Sequence, residues 1–258
     1  MGIDASTFLA PRIERHASLG STNDEAMRLA RGGHAGNVWV VADEQTGGRG
    51  RQGRVWFSPK GNLYASLLLV DPAPVARMPE LGFVAGVALA QAIRATLGGS
   101  DGVEIKWPND MVAHGAKLAG LMLEGAGLAD GRFACVIGFG VNCASHPDGP
   151  GRPGGLPYQA QHLDALAGRA ISPAEILARL SFKMTEWLGL YNRSDNFAAV
   201  RETWLSLAAG LGGPLRVRAA GGDLHGIFQT IDASGRLVLA KDGTTTHVDA
   251  GDVFLTPP

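Results

Sequence analysis

The 258-residue chain has two cysteines, Cys135 and Cys143, and seven scattered histidines that form no HExxH pattern. Two thiols cannot staple a chain this long, and their spacing matches no zinc site. The expectation is buried, reduced cysteines and no structural transition metal. Long apolar runs are also missing. The longest charge-free apolar stretch, Leu81 to Ile93, has 13 residues, where a membrane span needs about 18–20. Met1-Gly2-Ile3-Asp4 lacks the basic-then-apolar order of a secretory signal. Nor is there an excess of charge of either sign. A formal net charge of -1 removes the steering that a typical nucleic-acid binder draws from a basic surface. These absences lead to the expectation of a cytoplasmic globular protein that meets neither membrane nor DNA. At 258 residues it has room for one large or two unequal domains.

Against this neutral background, charge is concentrated in one place. Gly48-Arg49-Gly50-Arg51-Gln52-Gly53-Arg54 alternates three glycines with three arginines. Glycine lets the backbone reach positive φ and approach a ligand closely. Arginine brings a permanent charge on a planar fork suited to carboxylate and phosphate oxygens. A solvated turn would also tolerate this composition. Gly48-x-Gly50-x-x-Gly53 is a literal dinucleotide-binding fingerprint, but that motif needs a helix to open at its glycines. Val55-Trp56-Phe57-Ser58-Pro59-Lys60-Gly61 follows instead, then a strand-like run from Leu63 to Val70. Strand, basic loop, strand is the better reading. Ordering seven residues costs on the order of 7–14 kcal/mol of backbone entropy, against about 1.5–3 kcal/mol for one charge-assisted hydrogen bond. The loop is therefore expected to close only when several partners arrive together.

A second constellation lies in Lys106-Trp107-Pro108-Asn109-Asp110 and Lys117-Leu118-Ala119-Gly120. Pro108 pushes Trp107 toward an extended conformation, and Asn109-Asp110 is turn chemistry. Either lysine alone reads as a solvated strand-end charge. Two of them around an Asn-Asp turn, downstream of a basic loop, suggest an anion site.

Ser21-Thr22-Asn23-Asp24-Glu25 opens a helix, with Thr22 and Glu25 at capping-box spacing and Gly32 closing it. Capping alone accounts for Ser21 and Thr22. Further helices are expected over Pro79–Leu97, from Ser172-Pro173 to about Tyr191, and over Phe197–Leu207. Strands are expected over Val38–Ala42, Leu63–Val70, Val103–Lys106, Leu118–Glu124 and Phe133–Val141. Ser145 to Pro157 reads as a long Gly/Pro loop. From Pro214 the chain breaks into short β-type runs separated by Gly-Gly, Ser-Gly and Asp-Gly turns, the pattern of a small all-β barrel.

The strings GRGRQGRVWFSP, KWPND, KLAG and GFGVN, in this order, resemble the catalytic domain of bacterial biotin protein ligases. Ser21-Thr22-Asn23 and Gln45 sit where that family keeps biotin-binding residues. The resemblance runs from about Ile13 to the C-terminus. It implies an α+β fold: a mixed-sheet catalytic domain with flanking helices over residues 1–211, and an SH3-like barrel over 212–258. Only about 20 residues precede Ser21, which suggests the monofunctional form without a helix-turn-helix domain.

The implied reaction joins biotin to ATP as biotinyl-5′-adenylate, then passes the acyl group to a lysine of a biotin carboxyl carrier protein. ATP and biotin are the substrates, and Mg²⁺ travels with the nucleotide. Carried over residue by residue, Arg51 and Lys117 are the catalytic cations. The resemblance assigns biotin to Ser21, Thr22, Asn23, Gln45, Gly48, Arg49, Gly50, Arg51, Lys117, Gly120, Gly138 and Gly140. It assigns the nucleotide to Arg49, Arg51, Arg54, Trp56, Asn109, Asp110, Lys117 and Asn142. On spacing alone, Gly138 and Gly140 also fit a strand bulge. The nearest rival is a lipoate or octanoyl ligase, and the GRGRxGR string favours biotin. A nucleic-acid module is disfavoured by neutral charge and a barrel without interleaved aromatics. The oligomeric state, homodimer included, stays open.

Overall fold

The protein is described from a computed structural model over residues 11–99, 102–148, 158–193 and 197–255. A seven-stranded sheet has the order β1 (Arg12–His16), β2 (Val38–Ala42), β3 (Leu63–Val70), β7 (Phe133–Val141), β6 (Ala116–Gly127), β5 (Asp110–Ala113), β4 (Val103–Lys106). Only β1 and β2 run parallel; the other neighbours are antiparallel. β2 is buried along its whole length because both faces of the sheet are covered. Val38 and Val40 pack with Ala26 and Ala30 of α1 (Thr22–Arg31) on one face. Trp39 and Val41 point into the main core on the other, toward α2 (Glu80–Leu97) and α4 (Pro173–Asn192). The two-residue period of a strand produces this division.

α2 is long and apolar enough to cross a membrane by length and composition, but it lies mostly buried against the sheet. Its Phe83 ring meets Phe197 and Trp204 of α5 (Phe197–Ser206) edge-on, at 5.6 and 5.5 Å between centroids. α4 starts as its sequence implies, with Ser172 accepting from the Ala174 amide and Pro173 in the first turn. α1 differs from the capping box expected of Thr22. Ser21 is the N-cap and accepts from the Asp24 amide, which leaves the Thr22 hydroxyl for other partners. Beyond Gly32, it is Gly33 that takes the left-handed conformation, at φ +90.

Strand β1, strand β5 and the short helix α3 (Leu163–Ala167) were not expected from the sequence. Asp110 belongs to β5 rather than to the turn before it. Of the loop expected from Ser145 to Pro157, residues 149–157 lie outside the described part. Both cysteines are free and buried, and burial pushes their thiols up to about 12.

The C-terminal strands β8 (Pro214–Ala219), β9 (Gly222–Ile231), β10 (Leu237–Lys241), β11 (Thr244–Val248) and β12 (Asp252–Leu255) form an antiparallel sheet in the order β11-β10-β9-β8-β12. The expected barrel is not closed, since β11 and β12 are opposite edges that do not pair. The reason is where the apolar face goes. Val217, Phe228, Ile231 and Leu239 join the same core as α2 and α5, so the sheet need not curl on itself to bury them. The indole of Trp107 adds a tie, donating to the carbonyl of Gly235 at 3.1 Å.

Candidate active site

An open cleft lies on the α1 face of the large sheet, between α1, the loop after β2 and the ends of β5–β7. Its floor is built from missing side chains. Gly120 of β6 lies opposite Gly140 of β7, and Gly138 occupies the same face two residues earlier. A Cβ at Gly138 would collide with Oδ1 of Asn23, and one at Gly140 would come within 2.6 Å of the Trp56 ring. At Gly120 it would press on Trp56 at 3.3 Å. β7 keeps regular pairing with both β3 and β6 through these glycines, so the bulge reading is set aside. Close approach to the strand backbone is what the glycines allow.

One wall of the cleft is a polar chain anchored by α1. The Thr22 amide donates to Oε1 of Gln45 at 2.8 Å, and its hydroxyl reaches the same oxygen at 3.2 Å. Gln45 Nε2 donates to Ser58 Oγ at 3.2 Å, and Ser58 donates to the Trp56 carbonyl at 2.9 Å. Ser66 Oγ lies 2.7 Å from Thr22 Oγ1 and 2.6 Å from Asn23 Oδ1. Asn23 Nδ2 donates to Glu124 at 2.7 Å. Ser21, Thr22, Asn23 and Ser66 are all buried. Their groups satisfy one another, as buried polar atoms must, and fix their donors and acceptors at the cleft wall.

The arginine-rich loop is an irregular hairpin. Gly50 N donates to Arg54 O at 2.7 Å and Trp56 N to Gly48 O at 2.9 Å. The turn passes through Gln52 at φ 57 and Gly53 at φ 71. Each arginine has a partner on a different element. Arg49 grips Asp24 with two bonds of 2.6 Å and lies 3.6 Å from Glu124. Hydrogen bonding to Arg49 holds the Asp24 carboxyl below its usual range. Arg51 donates to Oδ1 of Asn109 at 3.0 Å. Arg54 Nη2 reaches both oxygens of Asp252, at 2.7 and 2.6 Å. The loop thus has protein anchors that its own sequence does not disclose.

Lys117 is largely enclosed, its side chain 14% exposed. Its ammonium lies 2.7 Å from Asp110 and 5.3 Å from the ring centroids of both Trp56 and Tyr158. Lys106 approaches Asp110 on its other side at 3.6 Å. The backbone of Lys117 is pinned by Gln159 and Gln161, its N donating to Gln159 O and its O accepting from Gln161 N, both at 2.8 Å. Trp56 Nε1 is buried without a hydrogen-bond partner.

Of the residues singled out from the sequence, Ser21, Thr22, Asn23, Gln45, Arg49, Gly50, Arg51, Arg54, Trp56, Asn109, Asp110, Lys117, Gly120, Gly138 and Gly140 all line this one cleft. Gly48 does not; it packs beneath the loop, against Trp56 O and the Gln45 amide. Asn142 sits beside an adjoining cavity with Phe57, Pro147 and Tyr158, where its Nδ2 braces the Gln161 carbonyl at 3.0 Å. Sequence reading missed Tyr158, Met122 and Asp252 on the cleft wall, and Ser66 and Glu124 behind it. Asp24 carried a signal, as an acid in a first helical turn. Asp252 carried none.

The cleft thus combines glycine-floored strands, a capped helix and an arginine hairpin. Residues 20–142 match the model of the biotin/lipoate A/B protein ligase family, and residues 210–256 that of the biotin protein ligase C-terminal domain. The chain is 38% identical to a biotin–[acetyl-CoA-carboxylase] ligase of Paracoccus denitrificans, over 92% of this chain and 98% of that one. It is 32% identical to the bifunctional ligase/repressor BirA of Bacillus subtilis, over 93% of this chain and 73% of that one. The fold superposes on a biotin protein ligase from Aquifex aeolicus in complex with biotin and ATP, with a TM-score of 0.77 at 23% identity, covering 96% and 99% of the two chains. The chain belongs to the biotin protein ligase family.

Proposed function

We propose that this enzyme attaches biotin to a lysine of a biotin carboxyl carrier protein, in two steps through biotinyl-5′-adenylate. In the first, a carboxylate oxygen of biotin bonds to the α-phosphorus of ATP and pyrophosphate departs with the electrons of the broken P–O bond. In the second, the carrier lysine bonds to the acyl carbon, AMP leaves, and the amine gives up a proton. The observation that carries this reading is the convergence of Arg49, Arg51, Arg54 and Lys117 on one cleft beside a glycine floor.

The first step brings two anions together, so neutralising charge is the main demand on the protein. Lys117, enclosed between two aromatic rings and one carboxylate, holds its positive charge where little water screens it. Arg51 stands across the cleft on Asn109. The Ser21–Asn23 turn and Gln45 present fixed donors and acceptors that suit a ureido ring, and Gly138 and Gly140 leave room for a flat bicycle. No enzyme nucleophile is required, and both thiols are buried and pushed up to about 12.

Mg²⁺ would arrive with the nucleotide and neutralise phosphate charge when bound. Asp110 and Asp252 are each taken by cations, and the described residues hold no cluster of three metal-ligating side chains. Phosphate oxygens and water suit the ion better than a protein cage here. Near-neutral charge supports an enzyme without operator binding, and the buried state of α2 supports its packing as a core helix rather than a membrane span.

The test is to incubate the protein with ATP and either biotin or lipoic acid, then measure the mass of the bound ligand and of an added carrier domain. Biotinyl-adenylate on the enzyme and biotin on the carrier are expected. Lipoyl-adenylate alone would move the chain to the lipoate branch.

A further inference from the structure

The geometry points to Asp252, on the first residue of β12, as an internal stand-in for a phosphate group: it holds Arg54 in the empty enzyme and competes with the polyphosphate tail of the nucleotide. This rests on the adenylating function proposed above. Arg54 is the one loop arginine whose partner belongs to the C-terminal sheet; the partners of Arg49 and Arg51 belong to α1, β6 and the turn before β5. A single guanidinium nitrogen meets both oxygens of Asp252 at 2.6–2.7 Å, the contact one phosphate group would offer it.

Asp252 lies on the cleft wall, not behind it. Burial alone would raise its pKa, but the bond to Arg54 and the charges of Arg54, Arg51 and Lys106 outweigh that and lower it. Arg54 and Arg51, cations that suit a polyphosphate, thus line the same cleft as a carboxylate that belongs to the protein. Its mounting is firm. β12 pairs with β8 through Asp252 and Arg218, Val253 beside it is buried in the shared core, and the Trp107–Gly235 bond ties the C-terminal sheet to the large one. The loop is the movable partner, since the Arg54 side chain is 48% exposed and is flanked by Gly53 and its turn.

A carboxylate fixed beside the anion site has two consequences for the empty and filled states. Without nucleotide it gives Arg54 a counter-charge and holds the hairpin against the C-terminal sheet. When a triphosphate enters, Arg54 exchanges one anion for another, and the freed Asp252 repels the same phosphates. ATP binding and pyrophosphate retention are both weakened by this exchange, which favours product release after adenylation. Asp252 acts through Arg54 and is a positioning residue.

The test is a double-mutant cycle on the full chain with Asp252→Asn, Arg54→Ala and the pair. Calorimetry with inorganic tripolyphosphate reads the anion site directly, and biotin-dependent ATP–pyrophosphate exchange reads KM for ATP and for biotin. Asp252→Asn is expected to tighten tripolyphosphate and lower KM for ATP by about two- to fivefold, the worth of a half-exposed ion pair, with KM for biotin unchanged. In the Arg54→Ala background the same substitution should give a clearly smaller gain, from relief of the direct repulsion alone. Weaker or unchanged tripolyphosphate binding in Asp252→Asn, or an equal gain without Arg54, would overturn the proposal. Should Asp252→Asn fold poorly by thermal unfolding, Asp252→Ser serves with the same expected sign. Wild-type exchange with biotin checks the functional reading separately, because the tripolyphosphate cycle stands whether or not biotin is the substrate.

Discussion

The side chains of Lys117 on β6 and Asp110 on β5 meet at 2.7 Å across the two strands of a β-hairpin, with the ammonium held 5.3 Å from the centroid of the Trp56 ring. The pair gives a lysine that is only 14% exposed a carboxylate partner that offsets part of the cost of taking its ammonium out of water. Lys117→Ala is expected to slow single-turnover adenylation by about 10²–10³-fold while biotin affinity changes little, since the charge matters most as the two anions meet. Lys117→Arg should not restore the rate, because a planar fork does not replace a point charge between two rings. Normal adenylation by the Ala variant, measured by rapid quench, would remove Lys117 from the reaction.

Arg51 bridges the hairpin to Asn109 at 3.0 Å. Arg51→Gly removes that anchor and adds chain freedom at the tip of the loop. Losing one charge-assisted hydrogen bond of about 1.5–3 kcal/mol should speed adenylate dissociation by about ten- to a hundredfold. The escaping anhydride should then label lysines of an unrelated protein. Dissociation measured by gel filtration of preformed adenylate, no faster than wild type, would show that Arg51 does not hold the closed loop.

Gly138→Ala tests the floor. Its methyl would occupy the space of Asn23 Oδ1, a buried group already bonded to Ser66. Overpacking of this kind costs about 1–3 kcal/mol, so biotin binding by calorimetry should weaken about tenfold or more. Gly127→Ala, at a position where a Cβ meets nothing within 4 Å, should leave it unchanged. Equal affinities for the two variants would refute a close approach at Gly138.

Asp232 gives the C-terminal sheet an acid-sensitive turn. Burial pushes its pKa up, but bonds from His247, the Ser234 and Arg236 amides and the Arg236 side chain win and hold it at about 2. A folded pKa below the unfolded value of about 3.9 means the stabilisation is complete above about pH 4 and is lost as pH falls toward 2. It amounts to at most about 2 kcal/mol. Asp232→Asn should lower Tm at pH 7, and the difference from wild type should shrink as pH drops toward 2. A constant difference down to pH 2.5 would mean the charge of Asp232 contributes nothing. The same turn presents the Gly235 carbonyl to Trp107, so its loss should also loosen the tie between the two sheets.

Much of the site was legible because its residues are local in sequence. GRGRQGR, KWPND and KLAG each place several functional groups within one turn or strand end, where residue type alone limits the chemistry. Strand β2 and helices α2 and α4 were legible through apolar runs and a Ser-Pro start. β1 was not, since Arg12-Ile13-Glu14-Arg15-His16 is an edge strand whose burial alternates weakly and whose structure comes from pairing with β2. β5 was hidden because four residues beside an Asn-Asp turn hold their strand only between β4 and β6.

The sequence by itself determined the cations, the strand–loop–strand order and the two β-rich regions, because each is written in residue type and short-range period. Tertiary structure alone decided what each cation is paired with. Arg54 and Asp252 are 198 residues apart, and so large a loop is closed by the packing of two sheets on one core, which no local pattern records. The open form of the C-terminal sheet follows from the same cause. Its apolar face is covered by α2 and α5, so the strands that would otherwise have closed a barrel were left as edges, one of them carrying Asp252 to the cleft.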